Sequence, residues 1–256
     1  MANEPREQLS ESEQKQRAYY DQIASQYDEH YGSREGLAYR ARQFERLMGD
    51  YDLEGLKALD AMCGGGQNST YFVSRGCHVT GIDISQGQTE FYRKRFPGSE
   101  VVCGSALSMP FEDESFDLVF TDSLHHLPPR VNEGMQEIAR VLRPGGLFLA
   151  WEPSARSVFD YARKLWYRLD PEYFEDNEEA IDIDRLAADN KALFDLRDCI
   201  YGGNVAYASV ALSMAMRIPV RVAESYAKGA QWLEDKLTPL QGRRTALWAL
   251  VLFEKR

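Results

Sequence analysis

The chain has 256 residues, 44% of them hydrophobic, with a formal net charge of −10 and a sequence pI of about 5.0. That much apolar material suits one α/β domain with insertions. The acidic balance disfavours a broad nucleic-acid footprint, which needs clustered Lys and Arg to displace counterions. No run of 18 apolar residues occurs and residues 1–16 are polar and acidic, so neither a membrane span nor a signal peptide is expected, and the expected location is cytoplasmic.

Taken in order, residues 1–9 are polar, hold no periodic apolar face and are expected to lack structure. From about Ser10, the residues Tyr19, Tyr20, Ile23, Ala24 and Tyr27 recur at three- and four-residue steps, which predicts an amphipathic helix. A second helix is predicted over residues 35–48, ended by Gly49-Asp50. The apolar run at residues 56–59 predicts a first buried strand. It leads through Asp60-Ala61-Met62-Cys63-Gly64-Gly65-Gly66 into a helix at residues 67–75, which Gly76 closes.

Glycines without Cβ let a backbone take positive φ and let a small molecule approach it closely, and the helix behind them points unpaired N–H groups at that space. A glycine run alone is often only a tight connection. Here a second strand, Cys77-His78-Val79-Thr80-Gly81-Ile82-Asp83-Ile84-Ser85, puts Asp83 about 20 residues beyond the glycines, where a nucleotide-binding βαβ unit accepts both ribose hydroxyls. The two features together point to an adenosyl ligand. The dinucleotide fingerprint G-x-G-x-x-G is absent, because Gln67, Asn68 and Ser69 follow Gly66, and so is a phosphate loop with Gly-Lys-Ser/Thr.

Ser85 is placed to cap a helix over residues 86–96, which Pro97-Gly98 ends. Strands follow at 101–103, 116–120 and 147–151, with a helix at 131–142 between the last two. Beyond an irregular stretch come a strand at 193–201, helices at 205–217 and 220–237 broken by Pro219, and a final strand at 245–253. This alternation predicts a doubly wound, mainly parallel, Rossmann-like sheet, with ligands at the carboxyl ends of its strands. Cys63, Cys77, Cys103 and Cys199 form no C-x-x-C pair and are read as reduced thiols.

The residues from 56 to 152 resemble the class I S-adenosylmethionine-dependent methyltransferases. The acidic-x-Gly-x-Gly-x-Gly motif is matched by residues 60–66 except at Met62. The likeness continues through Gly104-Ser105-Ala106-Leu107-Ser108-Met109-Pro110-Phe111, Ser115-Phe116-Asp117-Leu118-Val119, His125-His126-Leu127 and Arg140-Val141-Leu142-Arg143-Pro144-Gly145-Gly146. The resemblance implies a seven-stranded sheet whose last strand is antiparallel. It also implies a helical lid over residues 1–50, cap insertions at about 153–190 and 204–240 on a domain spanning 51–256, and S-adenosylmethionine as cofactor with S-adenosylhomocysteine as product.

Residue roles follow partly from chemistry and partly from the likeness. Asp60 is expected to draw the cofactor's ammonium, directly or through water, with backbone N–H groups near Met62, Cys63, Gly64 and Gly66 toward its carboxylate. Asp83 takes the ribose hydroxyls and Ile84 packs on the adenine. Ser105, Ala106 and Leu107 stand where the family contacts the adenine edge, although Ser105 replaces its usual aspartate, and Thr121 ends the fourth strand on the cofactor side. Met62, replacing a glycine, is expected to keep ordinary strand geometry. Tyr20-Asp21-Gln22-Ile23-Ala24-Ser25-Gln26-Tyr27-Asp28 fits a family pattern in which Tyr20 or Tyr27 covers the methionine end of the cofactor; the same tyrosines also suit plain packing.

His125 and His126 fall just beyond strand four, at the methyl-accepting position, and either is a candidate general base or a locally packed ring. No metal is expected, because adjacent histidines rarely point to one ion and no third ligand is spaced to join them. The segment 153–190, with Arg156, Phe159, Tyr161, Arg163, Lys164, Trp166, Tyr167 and Arg168 before an acidic run at 172–184, reads either as a pocket lining or as an amphipathic helix with a solvated face. Met214 and Met216 suit an adaptable apolar wall. The expected partner is a small organic acceptor, methylated at oxygen in preference to nitrogen or carbon, with no nucleic acid, no membrane, and a monomer or homodimer. A protein or RNA methyltransferase and a non-catalytic adenosyl-binding regulatory subunit are the alternatives.

Overall fold

Period-two burial builds the sheet in the computed structural model, which describes residues 9–169 and 178–256. Along β1 (Lys57–Ala61), Ala58 faces one core and Leu59 the other; along β4 (Phe116–Thr121) the alternation is Leu118, Val119, Phe120. A strand that is apolar on both faces must be covered on both, and helices do this here. The sheet order is β3-β2-β1-β4-β5-β7-β6, adding β2 (His78–Asp83), β3 (Val101–Cys103), β5 (Leu142–Pro153), β6 (Phe194–Gly202) and β7 (Trp248–Lys255). The first five strands run parallel, while β7 lies antiparallel between β5 and β6, as the family resemblance implied.

One core gathers Leu59, Ile82, Val119 and Phe148 with Met135 and Ile138 of α5 (Val131–Val141). The other gathers Leu118, Phe120, Trp151 and Trp248 with Phe44 and Met48 of α2 (Arg34–Met48), Tyr71 and Phe72 of α3 (Ser69–Ser74), and Ala227 and Ala230 of α8 (Val220–Leu237). Of the lid expected over residues 1–50, α2 is therefore built into a core, and the helix lying across the ligand-binding edge of the sheet is α1 (Glu11–Tyr31). Ser10 starts α1 with a capping box: its hydroxyl accepts from the Glu13 N–H while the Glu13 carboxylate accepts from the Ser10 N–H. Ser85 caps α4 (Gln86–Arg95) as its spacing predicted.

Two expectations are corrected here. The helix predicted over residues 205–217 is a short π-turn, Tyr207–Ala211, continued only by turns. Its carbonyls are diverted: that of Ser209 accepts from the Tyr226 hydroxyl and that of Val205 from the Ser209 hydroxyl, while the buried Glu234 carboxylate accepts from the N–H groups of Asn204 and Tyr207. The last strand starts at Trp248 because residues 242–245 close a turn, with the Thr245 N–H donating to Gly242. Beyond β5 lie α6 (Phe159–Leu169) and α7 (Ile183–Asp189); residues 172–177 of the acidic run fall outside the described residues, as do residues 1–8. The four cysteines are free thiols, and among the described residues no helix is long and apolar enough to cross a membrane.

Candidate active site

The turn after β1 is tightly tied. The Cys63 N–H donates to the Ile82 carbonyl and the Gly66 N–H returns to the Cys63 carbonyl, both at 2.9 Å. Closing this turn drives Met62 to φ +61°, which corrects the expectation of strand geometry. An L-residue pays about 1–2 kcal/mol for that conformation, and here packing of the Met62 side chain against the core around Leu59 holds it. Gly64 (φ +51°) and Gly66 (φ +83°) also need the left-handed region. The two serve different ends. A Cβ on Gly66 would stand 2.6 Å from the Phe96 ring, so that glycine admits an aromatic side chain, whereas Gly64 borders a space in which a Cβ would meet the Gln67 side-chain oxygen at 3.2 Å.

That space is a cleft of about 60 Å³ bounded by Tyr20, Tyr27, Met62, Gly64, Asp83 and Ile84, with Gln16, Gln88, Ser123 and His126 completing its wall. The Asp83 carboxylate accepts from the Gly64 N–H at 2.8 Å and the Ser85 N–H at 2.8 Å. Burial pushes its pKa up to about 6, against the lowering effect of those two N–H groups. Two carboxylate oxygens offer about four lone-pair directions, so Asp83 keeps room for further donors. Beside it the Gln88 side-chain amide is 1% exposed, and neither its oxygen nor its nitrogen has a hydrogen-bond partner.

Other expected cofactor residues are placed differently. The N–H groups of Gly64 and Gly66 are spent within the protein, on Asp83 and Cys63. Asp60 is fully buried behind the turn, where its Oδ2 accepts from the Ser69 hydroxyl at 2.7 Å and its Oδ1 meets no partner; burial raises its pKa well above the carboxylate range. Ser105 donates to Glu13 of α1 and accepts from the Leu107 N–H, while Ala106 and Leu107 join the apolar core. Thr121 is buried at the end of β4, accepting from the Ser123 N–H.

Helix α1 seals the cleft by polar contacts. The Tyr20 hydroxyl lies 3.1 Å from His126 Nε2, the Gln16 amide donates to the His126 carbonyl, and the Asp21 carboxylate accepts from the Ser85 hydroxyl and the Gly87 N–H. At Tyr20, Tyr27, Ser123 and His126 the cleft meets a second cavity of about 160 Å³. This one is walled by the rings of Tyr19, Tyr31, Trp166 and Tyr167, with Arg40, Asp122, His125, Arg163 and Glu178 as its charged and polar groups. The segment 153–190 thus contributes Arg163, Trp166 and Tyr167 to a pocket, while Tyr161 on the opposite side of α6 is 81% exposed. From residues 205–217 it is Leu212 and Ala215 that reach the cavity; Met214 is buried and Met216 is half exposed.

Charged groups of this cavity are matched in pairs. Burial alone would raise Asp122, but Arg40 beside it holds its carboxyl below the usual range. His125 Nδ1 lies 2.9 Å from Glu152 Oε2, and Glu152 also accepts from the N–H groups of Leu124 and His125. Burial, with His126 adding to it, lowers the His125 pKa to about 3. Glu152, Gln88, Arg40 and Glu178 were not expected from the sequence. Only Glu152 carries a signal, as a carboxylate following the apolar run of β5 at the ligand-binding edge. Glu178 overturns the expectation that no third ligand-type group joins the histidines, because its carboxylate lies 3.5 Å from His126 Nδ1.

Residues 59–150 match the family described as a methyltransferase domain. The phthiotriol/phenolphthiotriol dimycocerosates methyltransferase of Mycobacterium tuberculosis is 37% identical over 110 residues, 41% of this chain and 40% of that protein. The fatty-acid O-methyltransferase of Mycolicibacterium smegmatis is 36% identical over 115 residues, 43% of this chain and 42% of that protein. The chain thus spans about two fifths of the length of these curated relatives. Magnesium protoporphyrin IX methyltransferase from Synechocystis PCC 6803, solved with bound SAM, shares the fold with a TM-score of 0.59 over 98% of this chain and all of its own, at 14% identity. Residues 59–150 thus match a methyltransferase-domain family, in a chain that shares its fold with a solved methyltransferase.

Proposed function

We propose that the protein transfers a methyl group from S-adenosylmethionine to a small organic acceptor, with oxygen as the accepting atom. The observation that carries this reading is the junction of the two cavities at Tyr20 and His126, which joins the nucleoside-type cleft to an aromatic-walled chamber. The cleft fits the cofactor. Asp83 has acceptor capacity left for a diol, Gln88 offers an unsatisfied buried amide, and Gly64 presents bare backbone. When bound, S-adenosylmethionine supplies a sulfonium-activated methyl group. The chain's part is then to orient and to exclude water, since holding a nucleophile in line at close range removes much of a transfer barrier.

Burial lowers the His125 pKa to about 3 and its Nδ1 lies 2.9 Å from Glu152, so its part is to shape the chamber wall beside the acceptor, not to titrate as a base. Tyr20 and Tyr27 of α1 cover the methionine end of the cleft. Because about 60 Å³ is far below the ~300 Å³ a ligand site ordinarily needs, admission of the cofactor requires α1 to lift. The small, aromatic-walled chamber of about 160 Å³ favours a small acceptor over a protein or RNA chain, and the named methyltransferase relatives disfavour a non-catalytic subunit. The test is calorimetry with S-adenosylhomocysteine. Asp83→Ala is expected to lose at least ~10-fold in affinity, on the scale of a charged hydrogen bond worth ~1.5–3 kcal/mol. Unchanged affinity would remove the cofactor assignment, and a radiolabelled-methyl screen of small hydroxy and carboxylic acids tests the acceptor class.

A further inference from the structure

We propose that His125, His126 and Glu178 form a binding site for a divalent transition-metal ion in the wall of the aromatic chamber, with a coordination position left open to an oxygen of the acceptor. Each residue offers one ligand atom, and these atoms all lie within 4.8 Å of one another. An ion about 2.1 Å from each of its ligands in tetrahedral geometry spaces those ligands by about 3.4 Å. The His126 Nδ1 to Glu178 Oε1 separation of 3.5 Å is already near that value. An ion would require the remaining separations, which reach at most 4.8 Å, to shorten by side-chain rotation.

The surroundings are those of a ligand set, not of two stray rings. A histidine that binds metal through one ring nitrogen has the other held by a carboxylate or hydroxyl, which fixes the tautomer and the ring direction. Both rings have such a partner: His125 Nδ1 is 2.9 Å from the buried Glu152 carboxylate, and His126 Nε2 is 3.1 Å from the Tyr20 hydroxyl. Protons on those two nitrogens would make the opposite ring nitrogens, His125 Nε2 and His126 Nδ1, the ligand atoms of the proposed site. Two imidazoles and one carboxylate suit zinc or a neighbouring first-row ion, whereas magnesium and calcium require oxygen sets. An ion so placed would hold an acceptor hydroxyl or carboxyl in its ionised form. That role rests on the proposed methyl transfer; the site itself does not.

The experiment is a titration of metal-stripped protein with cobalt(II), followed by competition with zinc(II), both in the presence of S-adenosylhomocysteine. One equivalent of cobalt is expected to bind with visible absorption bands and to be displaced by zinc. Glu178→Gln and His125→Asn are each expected to weaken cobalt at least ~10-fold, and Glu152→Gln by the ~10–100-fold typical of a residue that orients a ligand. Circular dichroism identifies any variant that fails to fold, and the isosteric Glu178→Gln at the chamber wall then carries the test alone. Absence of saturable uptake, or uptake unchanged in Glu178→Gln, overturns the site. Metal uptake without methyl transfer would instead sink the proposed activity and leave the site standing.

Discussion

The two N-terminal helices make opposite use of similar lengths of chain. Helix α2 drives Tyr39, Phe44, Leu47 and Met48 into the core; Phe44 packs at ring distances of 5.2 Å from Phe72 and 5.4 Å from Trp151. Burying such side chains contributes ~1.5–3 kcal/mol each, and nothing in water replaces the contact. Helix α1 buries only Gln16, Ala24 and Tyr31, and holds the domain through Tyr20, Asp21 and Asp28, whose partners are His126, Ser85, Gly87 and Arg95. Each such bond is worth ~0.5–1.5 kcal/mol net because water offers nearly the same bond. The scaffold therefore rests on contacts that water cannot replace, and closure of the cleft on contacts that it can.

The largest effect expected of this contrast is in α2. Phe44→Ala should cost ~3–5 kcal/mol in urea unfolding; a loss under ~1 kcal/mol would show that α2 is no more built in than α1. Between scaffold and lid stands Asp83. With its pKa pushed up to about 6, its carboxylate is charged above that pH and neutral below it. A neutral carboxyl accepts sugar hydroxyls less well, so affinity for S-adenosylhomocysteine is nearly full above about pH 7 and is lost as the pH falls through 6. Between about pH 7 and pH 5 the charged fraction drops roughly tenfold, and the apparent affinity with it. Asp83→Asn should flatten that profile, and a pH dependence surviving in the variant would assign it elsewhere.

The smallest expected change is Tyr20→Phe, which removes the hydroxyl that reaches His126 but keeps the ring. It should alter unfolding stability by no more than ~1 kcal/mol while speeding release of S-adenosylhomocysteine in stopped-flow measurements. Destabilisation as large as that of Phe44→Ala would make α1 part of the core, and unchanged release would deny it the lid role.

Much of this frame is legible in sequence order. Apolar alternation marks both sides of the sheet, Ser10 and Ser85 mark helix starts, and the glycine turn with Asp83 about 20 residues on marks the cleft. The departures fall where a distant group competes with a local rule. Tyr226 and Glu234 draw off the bonds that a helix at 205–217 would have used. Glu13 of α1 occupies the hydroxyl of Ser105. Asp60 sits at its expected strand end, but Ser69 and Tyr92 enclose it away from the cleft.

By itself, then, the sequence determined most of the segments that become strands and helices up to β5, which edge of the sheet takes a ligand, and that Asp83 stands at that edge. These follow from periodicity and short-range spacing, which the chain carries locally. The tertiary structure alone decided the left-handed turn at Met62, the unsatisfied amide of Gln88, and the meeting of Glu152 and Glu178 with His125 and His126. Hydrogen bonds and ion pairs depend on distances of about 3 Å in space, and separation along the chain does not encode those distances.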